Sequence, residues 1–499
     1  MYVSTRGNYE KVKASEAIKL GMVPRGGLFV PESIPTISME ELYKIDGDLY
    51  QELAERILKL YLDDYSAEEV KDCVINAYNT ANFECESMAP LVKLKDKTYI
   101  LELWHGPTAA FKDMALQIMP YFLSKAIKKV GSEKEVVILV ATSGDTGKAA
   151  LEGFKNVPGI KIIVFFPYDG VSKVQELQMT TTDGNNTYVV AVKGNFDDCQ
   201  SAVKDIFADT GFKGSLDSQG YELSSANSIN WGRLLPQIVY YFSAYLELVK
   251  KQEIEPDEKI NFVVPTGNFG NILAGWYAYK MGLPINKLIC ASNENKVLTD
   301  FFSTGVYDRN REFKQTNSPS MDILISSNLE RFLFEVTNHD AEKISQRMKD
   351  LNTAGKFTVG EQTKKDIDKI LAAGFASEKE TLAVINEVFS NEGYTLDTHT
   401  AVAVKVYNEY VQKTGDRSKT VIAATASPFK FNSSVLEAIK GKEAIRGKDE
   451  IDIVKELSEV SGLPVHPGLK DLDQKPVLHK TVCEKDEIKQ AVADILEIK

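Results

Sequence analysis

The sequence predicts an α/β fold built around parallel sheets. From about residue 93 onward, short apolar runs alternate with turns and with segments of helical periodicity. That alternation is typical of βαβ units, in which helices cover a parallel sheet. Segments 197–207 and 272–281 are predicted as two of the intervening helices. The predicted strands are 136–141, 161–166, 187–192, 260–265, 288–292 and 420–424.

Two flanking segments differ from this core. Residues 1–92 are rich in helical periodicity, and Ser38 and Ser66 each precede early carboxylates, as helix N-cap residues do. Residues 438–499 are charged with scattered prolines, so we expect a peripheral extension without a catalytic centre. The predicted domains are a helical N-terminal domain at 1–92, a catalytic core at 93–437 and a C-terminal extension at 438–499.

Length and composition exclude several classes of protein. The 499 residues suffice for about three domains, and the balance of 43% hydrophobic and 26% charged residues is typical of a globular protein. No apolar run approaches the roughly 20 residues that cross a bilayer, and the net charge of −12 argues against a general nucleic-acid binder. Because the N-terminus has no signal-like segment, we expect a cytoplasmic location. The oligomeric state is left open between monomer and homodimer.

Metal-ligating and nucleophilic residue types are scattered along the chain. The five cysteines and five histidines show no zinc-binding or redox spacing, so we predict no metal. A serine hydrolase would need a glycine-flanked elbow, and the sequence around Ser143 lacks the first glycine. Acyl-transfer chemistry is therefore disfavoured.

One lysine is placed for chemistry on a carbonyl group. Lys112 follows the apolar, turn-rich segment 103–111 at the start of a helix. A lysine beside an aromatic ring and partly out of water has its ammonium form disfavoured, so more free amine can attack a carbonyl carbon. Taken alone, such a lysine is far more often a surface residue, and the neighbouring motifs must decide.

A first strand-loop-helix motif predicts a binding site for an anion. Amides at a helix start and the hydroxyls of its loop would bind a carboxylate. The alternative is a tight turn capped by the same hydroxyls, and the loop alone leaves the two interpretations equal. The loop follows the strand 136–141 and consists of Thr142, Ser143, Gly144, Asp145 and Thr146.

A second motif of the same kind follows the strand 260–265. Gly267 and Gly270 let the backbone approach a phosphate, and the dipole of the following helix favours the negative charge. The loop matches neither a dinucleotide fingerprint nor an ATP-binding loop. A phosphate is predicted, without a dinucleotide. The loop residues are Gly267, Asn268, Phe269, Gly270 and Asn271.

A carbonyl-reactive lysine and a phosphate loop together indicate pyridoxal 5′-phosphate, which has both an aldehyde and a phosphate. The motifs at 105–113, 141–147 and 265–271 also resemble those of the threonine synthase family. The resemblance covers about residues 1–435. Further segments resemble the family in the same order, at 24–31, 225–233, 327–332 and 397–403.

The resemblance implies a fold of the tryptophan synthase β type (PLP fold type II), with two α/β lobes around the cofactor and an added N-terminal helical domain. It implies that Lys112 forms a Schiff base with the cofactor, that the loop 267–271 binds the cofactor phosphate, and that Thr425 lies at the pyridine nitrogen. We expect Asp145 beside the 3′-oxygen of the cofactor.

The implied reaction converts O-phospho-L-homoserine and water into L-threonine and phosphate, with Lys112 as general base at the α-carbon. We expect the first loop to bind the substrate carboxylate. Arg233 suits the substrate phosphate because a guanidinium binds it in a bidentate manner, although a structural ion pair is an alternative role. The predicted substrate-binding residues are Thr142, Ser143, Gly144, Thr146, Asn227 and Arg233.

The segment after the predicted strand 420–424 departs from the family pattern. Where the family has Thr-Ala-His-Pro-Ala-Lys-Phe, the chain has Ser427 in place of the histidine, while Thr425 is kept. This leaves open a threonine-synthase-like phospholyase that releases 2-oxobutanoate instead of threonine. A non-catalytic binder of a cofactor or metabolite is a more distant alternative, and Lys112 together with both loops argues against it.

Overall fold

The N-terminal region combines helices with a small antiparallel sheet. The computed structural model describes residues 1–45, 47, 49–95 and 97–498. Ser66 begins the fourth helix with a reciprocal capping box to Glu69, whereas the Ser38 side chain makes no cap hydrogen bond to a described residue. The elements are β1 (Tyr2–Ser4), α1 (Ala14–Leu20), β2 (Phe29–Pro31), α2 (Met39–Leu42), α3 (Leu49–Tyr61) and α4 (Ala67–Ala77).

The first part of the core alternates strands and helices, as the sequence predicts. Its elements are β3 (Leu91–Lys95), β4 (Thr98–Glu102), α5 (Asp113–Leu116), α6 (Met119–Lys129), β5 (Glu135–Ala141), α7 (Asp145–Phe154), β6 (Ile160–Pro167), α8 (Lys173–Thr180), β7 (Thr187–Lys193), α9 (Phe196–Ala208), α10 (Thr210–Ser218) and β8 (Tyr221–Ser224).

The second part of the core continues the alternation with longer helices. Its elements are α11 (Trp231–Leu234), α12 (Gln237–Lys250), β9 (Ile260–Pro265), α13 (Gly270–Met281), β10 (Ile285–Ser292), α14 (Val297–Thr304), β11 (Val306–Asp308), α15 (Leu329–Val336), α16 (Ala341–Thr353), β12 (Lys356–Thr358), α17 (Glu361–Asp368), β13 (Leu371–Phe375), α18 (Glu378–Glu392), α19 (Thr398–Thr414) and β14 (Thr420–Ala424). The chain then adds α20 (Asn432–Lys440), α21 (Glu450–Ser461), β15 (Thr481–Glu484) and α22 (Ile488–Ile495).

Two mainly parallel sheets organise the core. The five-stranded sheet has the order β15-β7-β6-β5-β8, and all of its pairs are parallel. The six-stranded sheet has the order β13-β10-β9-β14-β4-β3 and is parallel except for the β3–β4 pair. Strands β5 and β9 are almost wholly buried, as expected for strands covered on both faces. The predicted α/β class is confirmed.

All six predicted strands are present, and five further strands in the described part of the chain join the two sheets: β4 lies between β14 and β3, and β3, β8, β13 and β15 are edge strands. Strand β15 belongs to the segment 438–499, and it pairs with β7 in parallel. A Cβ on Gly468 would lie 2.2 Å from the carbonyl oxygen of Pro107, so this segment also packs against the loop that leads to Lys112. The extension therefore contributes to the sheet and to the support of the site. Among the described residues, no helix has the length and apolar character needed to cross a membrane.

Candidate active site

A cavity of about 820 Å³ is lined by all but one of the predicted site residues. It opens at the carboxyl ends of β5, β9 and β14, where ligands bind in parallel α/β sheets. Gly144 is the one predicted residue that does not line it. The predicted residues in its wall are Lys112, Thr142, Ser143, Asp145, Thr146, Asn227, Arg233, Gly267, Asn268, Phe269, Gly270, Asn271 and Thr425.

Lys112 is buried at the start of α5. Its Nζ atom lies 3.3 Å from Asp145 Oδ2 and 4.8 Å from the centre of the Phe111 ring. Burial lowers the pKa of Lys112, and the positive charges of Lys430 and Arg233 act in the same direction against the opposing effect of Asp145. The uncharged amine is therefore favoured, which is the form that attacks a carbonyl carbon.

Asp145 carries the negative charge of the site. Its Oδ1 atom accepts a hydrogen bond from Gln175 Nε2 at 3.0 Å and lies 2.8 Å from Lys430 Nζ. Its Oδ2 atom faces Lys112 and accepts a hydrogen bond from Ser320 Oγ at 3.3 Å. Burial alone would raise the pKa of this carboxyl, but the charges of Lys430 and Lys112 hold that pKa well below its usual value. Asp145 is therefore a buried carboxylate between two lysines.

The loop after β9 presents bare backbone to the cavity. Phe269, the N-cap residue of α13, has φ of 61° and offers no polar side chain to the helix amides. A Cβ on Gly267 would lie 2.7 Å from the carbonyl oxygen of Ser320, so a glycine is required at this close approach. The backbone amide and Nδ2 of Asn328 both donate to the Asn268 carbonyl oxygen at 3.1 Å. The amides at the start of α13 are left for an anion.

Asn271, in the first turn of α13, has one unsatisfied donor. Its Oδ1 atom accepts hydrogen bonds from the hydroxyls of Tyr240 and Tyr241 at 2.6 and 2.8 Å. Its buried Nδ2 atom has no hydrogen-bond partner among the described residues. A buried donor without a partner beside a helix N-terminus fits an oxygen of a phosphate group. The residues of this loop therefore fit the phosphate of pyridoxal 5′-phosphate.

The loop after β5 is shaped by its own side chains. Thr142 Oγ1 accepts the amides of Gly144 and of the third residue of α7, both at 2.9 Å. Gly144 has φ of 131°, and a Cβ there would lie 2.4 Å from the Gln175 side chain, which covers it. This contact explains why Gly144 does not reach the cavity. Ser143 and Thr146 are partly exposed and present their hydroxyls there.

The segment after β14 is joined to the loop that carries Lys112. The Thr425 carbonyl oxygen accepts the Phe111 amide at 2.9 Å, and Thr425 lines the cavity. Ser427 lies behind this loop, where its amide donates to the Ala109 carbonyl oxygen at 3.0 Å. Its buried Oγ atom has no hydrogen-bond partner in the described part of the chain. The position of the expected histidine is thus occupied by a small, unsatisfied hydroxyl.

Arg233 and Asn227 face the cavity with unsatisfied groups. Arg233 is buried, and its Nη1 atom donates to the Ala226 carbonyl oxygen at 2.7 Å. Burial lowers the pKa of Arg233 to about 10. Its Nε atom and the Asn227 Oδ1 atom have no hydrogen-bond partner among the described residues. No carboxylate of a described residue lies within ion-pair distance of Arg233, which disfavours the structural ion-pair role and favours an anionic ligand.

Three residues of the site were not predicted from the sequence. Ser320 donates to Asp145, and its backbone amide donates to His399 Nε2 at 3.1 Å. The other ring nitrogen of His399 lies 3.1 Å from Asp397 Oδ1. Lys430 approaches Asp145 from the turn after β14. His399 and Lys430 lie in segments that resemble the family, and that was the only available signal for them.

The fold and the site together define a pyridoxal-phosphate-dependent enzyme. A family model described as "Pyridoxal-phosphate dependent enzyme" matches residues 76–426. The models "Threonine synthase N terminus" and "Threonine synthase, C-terminal" match residues 1–78 and 400–492. The cofactor predicted from the lysine and the phosphate loop is confirmed.

Similarity to known proteins identifies the family within this class. The crystal structure of PLP-bound threonine synthase from Brucella melitensis matches with a TM-score of 0.86 and 38% identity, over 99% of this chain and 98% of that one. Threonine synthase of Pseudomonas aeruginosa is 39% identical over 88% of this chain and 90% of its own length. The chain belongs to the threonine synthase family. It is also 40% identical to human threonine synthase-like 1 over 97% of its length, and it spans 65% of that longer protein.

Proposed function

We propose that the chain converts O-phospho-L-homoserine and water into L-threonine and phosphate. The observation that carries this proposal is that one cavity joins the Lys112 amine, two anion-binding loops and the unpartnered Nε of Arg233. The substrate has a carboxylate at one end and a phosphate at the other, and the cofactor adds a third anion. Three anion sites around one amine match this set of charges.

The proposed cofactor contacts follow from the loop geometry. When bound, pyridoxal 5′-phosphate supplies an aldehyde that condenses with amines and a ring that accepts electrons released at the substrate carbons. We infer that the loop 267–271 holds its phosphate and that Lys112 holds its aldehyde carbon. The Thr425 hydroxyl would face the pyridine nitrogen, and Asp145 would lie beside the 3′-oxygen. A neutral hydroxyl at that nitrogen favours elimination over transamination.

Lys112 is proposed as the residue that moves protons. Its buried amine has a lowered pKa, so more of it is uncharged than in an exposed lysine, and this form can accept the α-proton of the substrate. The nearest anion is Asp145, which stays ionised and can stabilise the ammonium form once the proton is taken. Lys112 can then return the proton in a later step.

The two ends of the substrate are assigned to different parts of the cavity. We propose that the hydroxyls of Ser143 and Thr146, with the amides at the start of α7, bind the carboxylate. Arg233 Nε has no partner among the described residues and would donate to the substrate phosphate. The unpartnered Asn227 Oδ1 atom is an acceptor, so Asn227 would orient the substrate by accepting from a donor group such as its amine. Binding both ends fixes the carbon atoms between them near Lys112 Nζ.

A phospholyase that releases 2-oxobutanoate is the second candidate. The observation that favours it is Ser427, whose hydroxyl is buried behind the Lys112 loop where the family pattern has histidine. If that histidine helps direct water to the β-carbon, its absence would let the unsaturated product be hydrolysed to a keto acid. Similarity to threonine synthase-like 1 is compatible with either outcome.

The two candidates differ in the product that accompanies phosphate. We expect the purified chain with pyridoxal 5′-phosphate to release phosphate and L-threonine in equal amounts from O-phospho-L-homoserine. Lys112→Ala should slow phosphate release by about 10²- to 10⁴-fold, whereas Lys128→Ala, on the exposed side of α6, should leave the rate unchanged. Equal amounts of phosphate and 2-oxobutanoate would establish the phospholyase function. The absence of phosphate release would rule out both enzymatic functions.

A further inference from the structure

A fully buried lysine outside the cavity wall approaches the reactive centre from behind. Lys430 lies in the 3-10 turn Pro428–Phe431, and its side chain is 0% exposed. Its Nζ atom lies 2.8 Å from Asp145 Oδ1 and donates to the Thr108 carbonyl oxygen at 3.1 Å. A buried ammonium is costly unless it is paired, so these two contacts define its place in the structure.

The carboxylate of Asp145 is shared unequally between two lysines. Lys430 Nζ lies 2.8 Å from Oδ1, whereas Lys112 Nζ lies 3.3 Å from Oδ2. Gln175 and Ser320 donate further hydrogen bonds to the same carboxylate. Because Coulomb attraction weakens with distance, Lys430 is the main counter-ion of Asp145. Lys112 shares this carboxylate with a closer cation, so the attraction between Asp145 and an ammonium on Lys112 is weaker than it would be without Lys430.

Lys430 and Arg233 oppose the protonation of Lys112, whereas Asp145 favours it and has the largest effect of the three. Burial is the largest effect on its pKa, and it lowers that pKa. Lys430 and Arg233 lower the pKa further, and Asp145 is the opposing anion. His399 contacts the site through the Ser320 amide, on the same side of the cavity. If Lys430 were absent, the full charge of Asp145 would face Lys112.

Lys430 also fixes the backbone that delivers Lys112. Thr108 donates from its amide and its hydroxyl to the buried Asp113 carboxylate at 2.9 and 2.7 Å. The Thr108 carbonyl oxygen accepts Lys430 Nζ and, at 3.4 Å, Gln178 Nε2. Thr108 stands four residues before Lys112, so a single ammonium contacts both the loop and the carboxylate that lie next to the reactive amine.

We propose that Lys430 is a positioning residue, which pairs with Asp145 and anchors Thr108 so that the uncharged amine of Lys112 is favoured. This inference rests on the role proposed for Lys112. Its consequence can be measured as the protonation of the Lys112 amine, without any turnover of substrate. A failure of the proposed reaction would therefore show in the products, and a failure of this inference would show in the protonation of Lys112.

The test measures the protonation of Lys112 in the full-length chain without cofactor. Formaldehyde with cyanoborohydride methylates uncharged amines, and peptide mass spectrometry gives the extent at Lys112 at each pH. In Lys430→Met we expect the profile to move upward by about one pH unit, which makes methylation about 10-fold slower at a pH well below the original midpoint. Lys430→Arg keeps the charge and should restore the original profile.

Lys148→Met is the matched control. Lys148 is also a buried lysine, on the same helix as Asp145, but it pairs with Glu152 at 2.7 Å and donates to Thr182 at 3.0 Å. Its loss should leave the Lys112 profile within about 0.3 pH units of the original, roughly a twofold change in rate. An unchanged profile in folded Lys430→Met, or an equal shift in Lys148→Met, would overturn the proposal.

Lys430→Gln covers the case in which Lys430→Met does not fold. Glutamine removes the charge but keeps an amide that can donate to Asp145 or to the Thr108 carbonyl oxygen, and circular dichroism would verify the fold. The proposal predicts that the Lys112 profile of Lys430→Gln moves upward by about one pH unit, as in Lys430→Met. An unchanged profile in folded Lys430→Gln would contradict the proposal.

Discussion

The two loops that follow β5 and β9 have the same architecture but make different contacts. Each joins a buried parallel strand to a helix N-terminus, yet the loop 267–270 offers bare backbone braced from behind by Asn328. The loop 142–146 is capped by the Thr142 hydroxyl and carries Asp145, which is paired with two lysines. The loop 267–270 therefore suits a permanently bound anion, whereas the loop 142–146 belongs to the charge network around Lys112.

Changing the bare loop should affect the cofactor most. In Gly267→Ala the new Cβ would lie 2.7 Å from the Ser320 carbonyl oxygen, so the backbone must move. Overpacking of this kind costs about 1–3 kcal/mol, and we expect cofactor affinity to fall about 100-fold. A titration followed by visible absorbance measures this affinity. Gly360→Ala is the control, because a Cβ there has no described atom within 4 Å.

Changing the charged loop should affect turnover and spare the cofactor. Gly144 has φ of 131°, and a Cβ there would displace Gln175, which donates to Asp145. Backbone strain of this kind costs about 1–3 kcal/mol, and we expect kcat/KM of Gly144→Ala to fall about 30-fold. Cofactor affinity should change less than threefold. If Gly144→Ala lost cofactor as readily as Gly267→Ala, the functional difference between the loops would be wrong.

Arg233 belongs to neither loop, so its substitution tests substrate binding separately from both. In Arg233→Gln the side chain can no longer give a charged donor to an anion, and a hydrogen bond to a charged group is worth about 1.5–3 kcal/mol. We expect kcat/KM for O-phospho-L-homoserine to fall at least about 10-fold while the cofactor stays bound. Steady-state phosphate release measures this change. A stable protein with unchanged kcat/KM would assign Arg233 a structural role.

His105 should affect the stability of the protein and give the smallest change in activity. Burial disfavours its charged ring, but Glu102 and Glu84 at 2.7 and 3.4 Å outweigh that effect and raise the pKa of His105 to about 9. The unfolded value is about 6.5, so the stabilisation, about 3 kcal/mol at most, is complete below pH 6.5 and is lost as the pH rises through 9. His105→Gln should therefore lower the free energy of unfolding more at pH 6 than at pH 9.5, as measured by urea denaturation. An equal loss at both values would contradict this.

Much of the fold could be predicted because the central strands are continuous apolar runs. The strands of the two core sheets that sequence reasoning missed are only four or five residues long, and most of them are partly exposed; they are β3, β4, β8, β13 and β15. Such strands lack the long apolar run of a strand covered on both faces. The role of β15 depends on its pairing with β7, which is nearly 300 residues away in sequence and leaves no local pattern.

The site residues that could be predicted are those whose reactive group and turn geometry occur together in one short segment. Lys112 and the glycines of the loop 267–270 stand in short motifs with a local physical meaning. Ser320 and Lys430 reach Asp145 only after the whole core has folded, and no local pattern in the sequence indicates these contacts. The pairing of Asp145 with Lys430 is a tertiary contact, which composition and spacing do not encode.

The most direct test of the account is to find which lysine holds the cofactor. Borohydride reduction of the loaded enzyme fixes the cofactor to its lysine, and peptide mass spectrometry then identifies the residue. Lys112 and Lys430 flank the same carboxylate, so the experiment chooses between two buried amines. We predict that the cofactor is found on Lys112. Attachment to Lys430, or an unmodified Lys112 in an enzyme that turns over, would contradict the account.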